Sequence, residues 1–156
     1  WPGGWLQEAS RAVGARGRVV GVDRVALDPP LENANTVSLV GDIEDAKIHE
    51  EILRHLDGAC DVLLSDAAPK LTGVREVDRA AEERLLEAVE RLLPLLLREE
   101  GDLLVKLLEC PEAQNFQRRM RALFVSAKTV QAEATRKGSS ERYLLARGYR
   151  PPVLGE

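Results

Sequence analysis

Cys60-Asp61-Val62-Leu63-Leu64-Ser65-Asp66-Ala67-Ala68-Pro69, with the amphipathic stretch 76–98 behind it and Leu103-Leu104-Val105-Lys106-Leu107-Leu108 beyond that, decides the fold. A short apolar run closed by a proline loop reads as a buried strand. The stretch 76–98 carries Val77, Ala81, Leu85, Val89, Leu92 and Leu96 at helical spacing, and the second apolar run returns as another strand. Strand, long helix and strand in that order make a crossover unit of a parallel sheet. Pro94 is expected to kink this helix or end it early.

Outward from this unit the alternation continues. Residues 18–23, 36–40, 125–130 and 142–146 read as further strands, and 3–13, 46–56 and 111–124 as helices. The second of these helices has apolar residues at Ile48, Ile52, Leu53 and Leu56, and Pro111 suits the first turn of the third. The predicted fold class is therefore α/β: a mostly parallel sheet with helices on both faces. The 156 residues, 44% of them hydrophobic, suffice for one core. Residues 1–150 are expected to form one domain and 151–156 a loose tail. A doubly wound sheet usually has a strand before its glycine loop. Here Pro2-Gly3-Gly4 opens the chain, so the usual N-terminal helix and first strand are expected to be lacking.

Charged residues make up 31% of the chain, and no apolar run approaches membrane-spanning length. No membrane association and a cytoplasmic location are the expectations, since Trp1-Pro2-Gly3-Gly4-Trp5 lacks the features of a secretory leader. Cys60 and Cys110 stand alone, which points to neither a disulfide framework nor a metal site. His49 and His55 fall on a predicted surface helix and receive no role. The formal net charge of −4 argues against indiscriminate polyanion binding, but its distribution is uneven. Residues 1–100 hold 12 Lys/Arg against 20 Asp/Glu, and residues 101–156 hold 10 against 6. Arg118, Arg119, Arg121, Lys128, Arg136, Lys137, Arg142, Arg147 and Arg150 read either as a local phosphate-binding surface or as ordinary solvated charge.

Several residues carry candidate chemistry. Gly3 and Gly4 would let backbone N–H groups and a helix start approach a ligand. Asp23 and Asp42 each follow a predicted strand, where a carboxylate accepts bonds from ribose hydroxyls. The same residues also read as a turn, a turn cap and the N-cap of the helix starting near Asp45. Asp66 stands at a strand end. Lys106 places an ammonium within an apolar strand, where a charge needs a partner or a function, or else an edge position from which to reach water. Glu141, in Gly138-Ser139-Ser140-Glu141-Arg142-Tyr143, precedes the last apolar run. Trp5, Phe124 and Tyr143 are available for stacking on bases or for packing, with packing favoured for Phe124.

In this order, Pro2-Gly3-Gly4-Trp5, Gly21-Val22-Asp23, Gly41-Asp42, Ser65-Asp66-Ala67-Ala68-Pro69, Val105-Lys106 and Ser139-Ser140-Glu141-Arg142-Tyr143 resemble the motifs of the FtsJ/RrmJ-like ribosomal RNA large-subunit ribose 2′-O-methyltransferase family. The resemblance implies a Rossmann-like methyltransferase domain over residues 1–150, with S-adenosylmethionine contacted by Gly3, Trp5, Asp23, Asp42 and Asp66. It also implies that Lys106 accepts a proton within a Lys-Asp-Lys-Glu tetrad completed by Asp66 and Glu141, the first lysine lying upstream of the cofactor loop. If burial and a neighbouring cation lower its pKa, Lys106 can act as a neutral amine. The implied substrate is RNA, most closely a uridine of large-subunit (23S-type) ribosomal RNA or a ribosomal particle, with no metal. Alternatives are ribose methylation of transfer RNA, another methyl acceptor, or a noncatalytic RNA-binding or assembly module on the same fold.

Overall fold

The computed structural model describes residues 4–132 and 141–152. Its elements run α1 (Gly4–Val13), β1 (Val19–Asp23), β2 (Thr36–Val40), α2 (Ala46–Leu56), β3 (Cys60–Ser65), α3 (Arg75–Leu96), β4 (Leu97–Leu107), α4 (Pro111–Leu123), β5 (Phe124–Ala132) and β6 (Glu141–Tyr149). They group into two compact units that divide between Ala59 and Cys60. None of the helices in the described residues is long and apolar enough to cross a membrane.

In the first unit, β1 and β2 are parallel, with Val19 opposite Thr36 and Asp23 opposite Val40. The helices approach these strands at glycines. A Cβ on Gly21 would lie 2.5 Å from Leu6 Cδ2, and one on Gly41 2.2 Å from Ile48 Cδ1. A side chain at either glycine would have to displace Leu6 or Ile48. α2 is capped by Asp45, whose carboxylate accepts the Lys47 N–H at 3.0 Å, and it closes on Asp57 in the left-handed region. Ile48 and Ile52 are its buried residues.

The second unit has the strand order β3-β4-β6-β5. β4 is parallel to β3, and β6 is antiparallel to both β4 and β5, so β3, β4 and β5 share one direction and β6 is reversed. The core forms where α3 and α4 meet this sheet, around Leu93, Leu103, Phe116, Met120, Leu144 and Ala146. Phe124 is buried and packs against the Tyr149 ring at 5.3 Å, as a packing residue should.

The crossover unit departs from expectation in three places. α3 runs past Pro94 and ends two residues on, at Leu96, so the proline falls in its last turn and few residues follow it in the helix. The buried stripe of α3 begins at Glu82 and Leu86 rather than at Val77, which is half exposed at 50%. β3, expected to be buried, leaves Val62 and Leu64 exposed. It is an end strand of its sheet, paired only with β4 among the described residues. β4 begins early because Leu97 pairs with Cys60; regular pairing resumes at Asp102 opposite Val62, and 98–101 loop out between. Glu100 takes φ 64° there, and Gly101 has the Asp61 carbonyl 3.0 Å from where a Cβ would be.

Candidate functional site

Along β4 the side chains alternate: Leu103, Val105 and Leu107 are buried, whereas Asp102, Leu104 and Lys106 lie on a half-buried face. Lys106 is therefore on the accessible side of a strand that is central, flanked by β3 and β6. An edge position does not explain it. Its Nζ lies 3.5 Å from Asp66 Oδ1, with the two side chains 22% and 42% exposed. β3 and β4 are parallel, with Ser65 opposite Val105, so the residue after each lands side by side. The register of one parallel pair thus builds the Lys106–Asp66 pair.

The loop leaving Asp66 is fixed at its far end. Asp78, in the first turn of α3, accepts the Thr72 N–H and the Thr72 hydroxyl at 2.7 Å each through Oδ1, and the Gly73 N–H at 3.1 Å through Oδ2. These bonds, led by that from the Thr72 backbone, hold the Asp78 carboxyl below its ordinary range. The turn after Lys106 is fixed from three sides. Glu82, 2% exposed, accepts the Leu108 N–H at 2.9 Å. Burial pushes its carboxyl up, opposed by that hydrogen bond. Arg79 grips Glu112 with both oxygens within 3.0 Å of Nε, which holds that carboxyl at about 2. Arg142 reaches Glu109 at 3.0 Å. Sequence reasoning missed Asp78, Glu82 and Arg79, whose partners Thr72, Leu108 and Glu112 lie in other segments of the chain.

Glu141 opens β6, paired with Ala132; two residues on, Tyr143 stands opposite Lys106. The Glu141 side chain lies outside the described residues, as do Gly3, Arg136 and Lys137. Tyr143 is buried at 7%, which assigns it to packing.

In the first unit, Asp23 ends β1 and Asp42 follows β2, so both carboxylates stand at the carboxyl end of parallel strands. Asp23 accepts the Val25 N–H at 3.0 Å through Oδ1. Asp42 accepts the Glu44 N–H at 2.9 Å and pairs with Arg24 at 2.7 Å. It is therefore a turn cap, and the helix cap is Asp45. Trp5 sits half-buried in the first turn of α1, a turn with no acidic residue. An acceptor for ribose hydroxyls at Asp23 and an acid-free helix start suit the nucleoside and carboxylate ends of S-adenosylmethionine. The Asp42–Arg24 pair is exposed and readily exchanged.

Burial pushes the Cys60 thiol up to about 11, and the Cys110 thiol rises for the same reason, which makes both poor nucleophiles at neutral pH. Of the expected basic surface, Arg119 is paired with Glu90 and Arg147 lies 4.0 Å from Asp102, while Arg118, Arg121, Lys128 and Arg150 are exposed.

A family model described as FtsJ-like methyltransferase matches residues 1–149. A relative from Methanothermobacter thermautotrophicus, named ribosomal RNA large subunit methyltransferase E, is 35% identical over 150 residues, 96% of this chain and 70% of the relative. Among solved structures, a ribosomal RNA methyltransferase from Plasmodium falciparum superposes with TM-score 0.78 at 21% identity, covering 96% of this chain and 82% of that one. Aeropyrum pernix fibrillarin, solved with bound S-adenosylmethionine, gives 0.52 at 18% identity over 85% of this chain and 56% of its own. These structural likenesses establish a Rossmann-like methyltransferase fold.

Proposed function

The chain belongs to the FtsJ-like methyltransferase family, and on that premise we propose that it transfers a methyl group from S-adenosylmethionine to a ribose 2′-hydroxyl of large-subunit ribosomal RNA, at a uridine, free or within a ribosomal particle. The observation that carries the reading is the Lys106–Asp66 pair at 3.5 Å, at the ends of two adjacent parallel strands. S-adenosylmethionine supplies, when bound, a methyl carbon made electrophilic by a positive sulfonium. A ribose hydroxyl is a poor nucleophile until its proton is removed, and Lys106 is the group assigned to take it. During methyl transfer the 2′-hydroxyl proton would pass to the Lys106 amine. Asp66 then stabilises the ammonium so formed and, with Glu141, aligns lysine and ribose. Trp5, Asp23 and Asp42, with Gly3, are assigned to the cofactor.

The turn bonded by Glu82 and the loop bonded by Asp78 support the reading, because an in-line displacement depends on alignment of its groups. Residues 1–150 constitute the methyltransferase domain in this account, 151–156 its tail, and the cytoplasm its place of work. Transfer of radiolabelled methyl from S-adenosylmethionine to purified large-subunit ribosomal RNA and to bulk transfer RNA, assayed side by side, tests it. Label confined to the ribosomal RNA is expected; label confined to transfer RNA would redirect the substrate assignment.

A further inference from the structure

At the end of the β1–β2 pair opposite to Asp23 and Asp42 lies an open cleft of about 610 Å³, lined by the end of α1, the turn 14–18 and residues 33–35. Three arginines, Arg11, Arg16 and Arg18, line it, and no carboxylate does. This is unexpected in a segment whose first 59 residues hold six Lys/Arg against ten Asp/Glu.

The walls are fixed by local geometry. Ser10, 6% exposed, donates to Asn35 Oδ1 at 2.6 Å and accepts from Asn33 Nδ2 at 2.8 Å. The Asn35 amide in turn donates to the carbonyls of Ser10 and Gly14 at 3.1 and 3.0 Å. Loop 33–35 is thereby tied to the helix end. The opposing turn needs Gly14 at φ 68°, and a Cβ on Gly17 would lie 2.4 Å from Val13 Cβ. The backbone of the walls is thus held before a ligand arrives, which favours binding.

The arginines differ in commitment. Arg11 is paired with Glu8 one turn back on α1, and Arg18 reaches the His55 carbonyl at 3.4 Å. Arg16, exposed, has no carboxylate partner among the described residues. By contrast, Arg119 and Arg142 of the expected basic surface are taken up by Glu90 and Glu109. A guanidinium left without an acid, as at Arg16, matches phosphate oxygens, which it binds through paired N–H donors.

We propose that this cleft holds a phosphodiester of the RNA substrate, an anchoring site on the side of β1–β2 remote from the cofactor carboxylates. It rests on the reading that the substrate is RNA. The five residues of β1 separate it from Asp23 by about 13 Å. Contact with a sugar–phosphate backbone there adds affinity without base sequence information.

The test compares the full chain with its Arg16→Ala and Arg16→Lys variants. Affinity for purified large-subunit ribosomal RNA is measured across a salt series, together with kcat at saturating RNA. Arg16→Ala is expected to weaken binding about threefold and to reduce the slope of log affinity against log salt by about one, with kcat unchanged. Arg16→Lys should restore most of the slope. Unchanged affinity and slope in Arg16→Ala overturn the proposal, as does a loss confined to kcat. Titration of the wild-type chain with inorganic phosphate, read at the arginine Nε resonances, separates the sources. A response to phosphate with unaltered RNA binding overturns the RNA assignment in favour of a small phosphate compound. A wild-type chain without affinity for RNA would instead refute the substrate reading itself, and an active Lys106→Ala variant would refute the reaction centre while leaving the cleft standing.

Discussion

Lys106 stands out in the sequence because a charge interrupts an apolar run, and the structure supplies its partner by strand register. If it is the proton acceptor, Lys106→Ala lowers turnover by at least about a hundredfold while calorimetric titration still shows S-adenosylmethionine binding. Turnover within a factor of a few of wild type would remove it from that role. Glu82 shows the opposite case. Nothing in Arg79-Ala80-Ala81-Glu82 tells a reader that this glutamate is buried, because the backbone N–H it accepts belongs to Leu108 in a distant turn. Burial raises its folded pKa above the ordinary 4.5. Its contribution to stability is therefore fully present below 4.5 and is lost as pH rises through the folded value. Glu82→Gln keeps an acceptor and removes the titration, so its urea midpoint should exceed that of wild type at pH 8 and converge on it near pH 4. A difference independent of pH would contradict this.

Among the elements, strands were the most legible. Residues 36–40 and 60–65 have the expected bounds, because apolar runs between turn residues mark strands, although neither strand is fully buried. α3 was legible in existence but not in rotation, since its first turn carries Asp78 toward the Thr72 loop and leaves Val77 exposed. Helix periodicity defines a stripe; which of its ends meets the sheet depends on chain that packs elsewhere. Arg79 and Glu112 join α3 to α4. With the Glu112 carboxyl held at about 2, the pair contributes stability above the ordinary 4.5 that is lost as pH falls toward 2. Acid unfolding followed by circular dichroism should show Glu112→Gln less stable than wild type at pH 7 and level with it at pH 2. An equal deficit at both pH values would assign the effect to packing.

For the molecule as a whole, composition and charge bounded the reading, and the order of motifs gave the family. The division of basic residues was only half informative. Sequence places the positive balance beyond residue 100, yet part of it is spent on nearby acids, and the arginines of the cleft in the first unit lie within an acidic stretch. Ion pairing across elements is invisible to a count along the chain. The central claim, methyl transfer to a ribose, has one direct measurement. Large-subunit ribosomal RNA treated with this protein and methyl-labelled S-adenosylmethionine is digested to nucleosides and resolved by liquid chromatography and mass spectrometry. The account predicts label in a 2′-O-methylated nucleoside, uridine first. Label on a base, with the ribose unmodified, would contradict it.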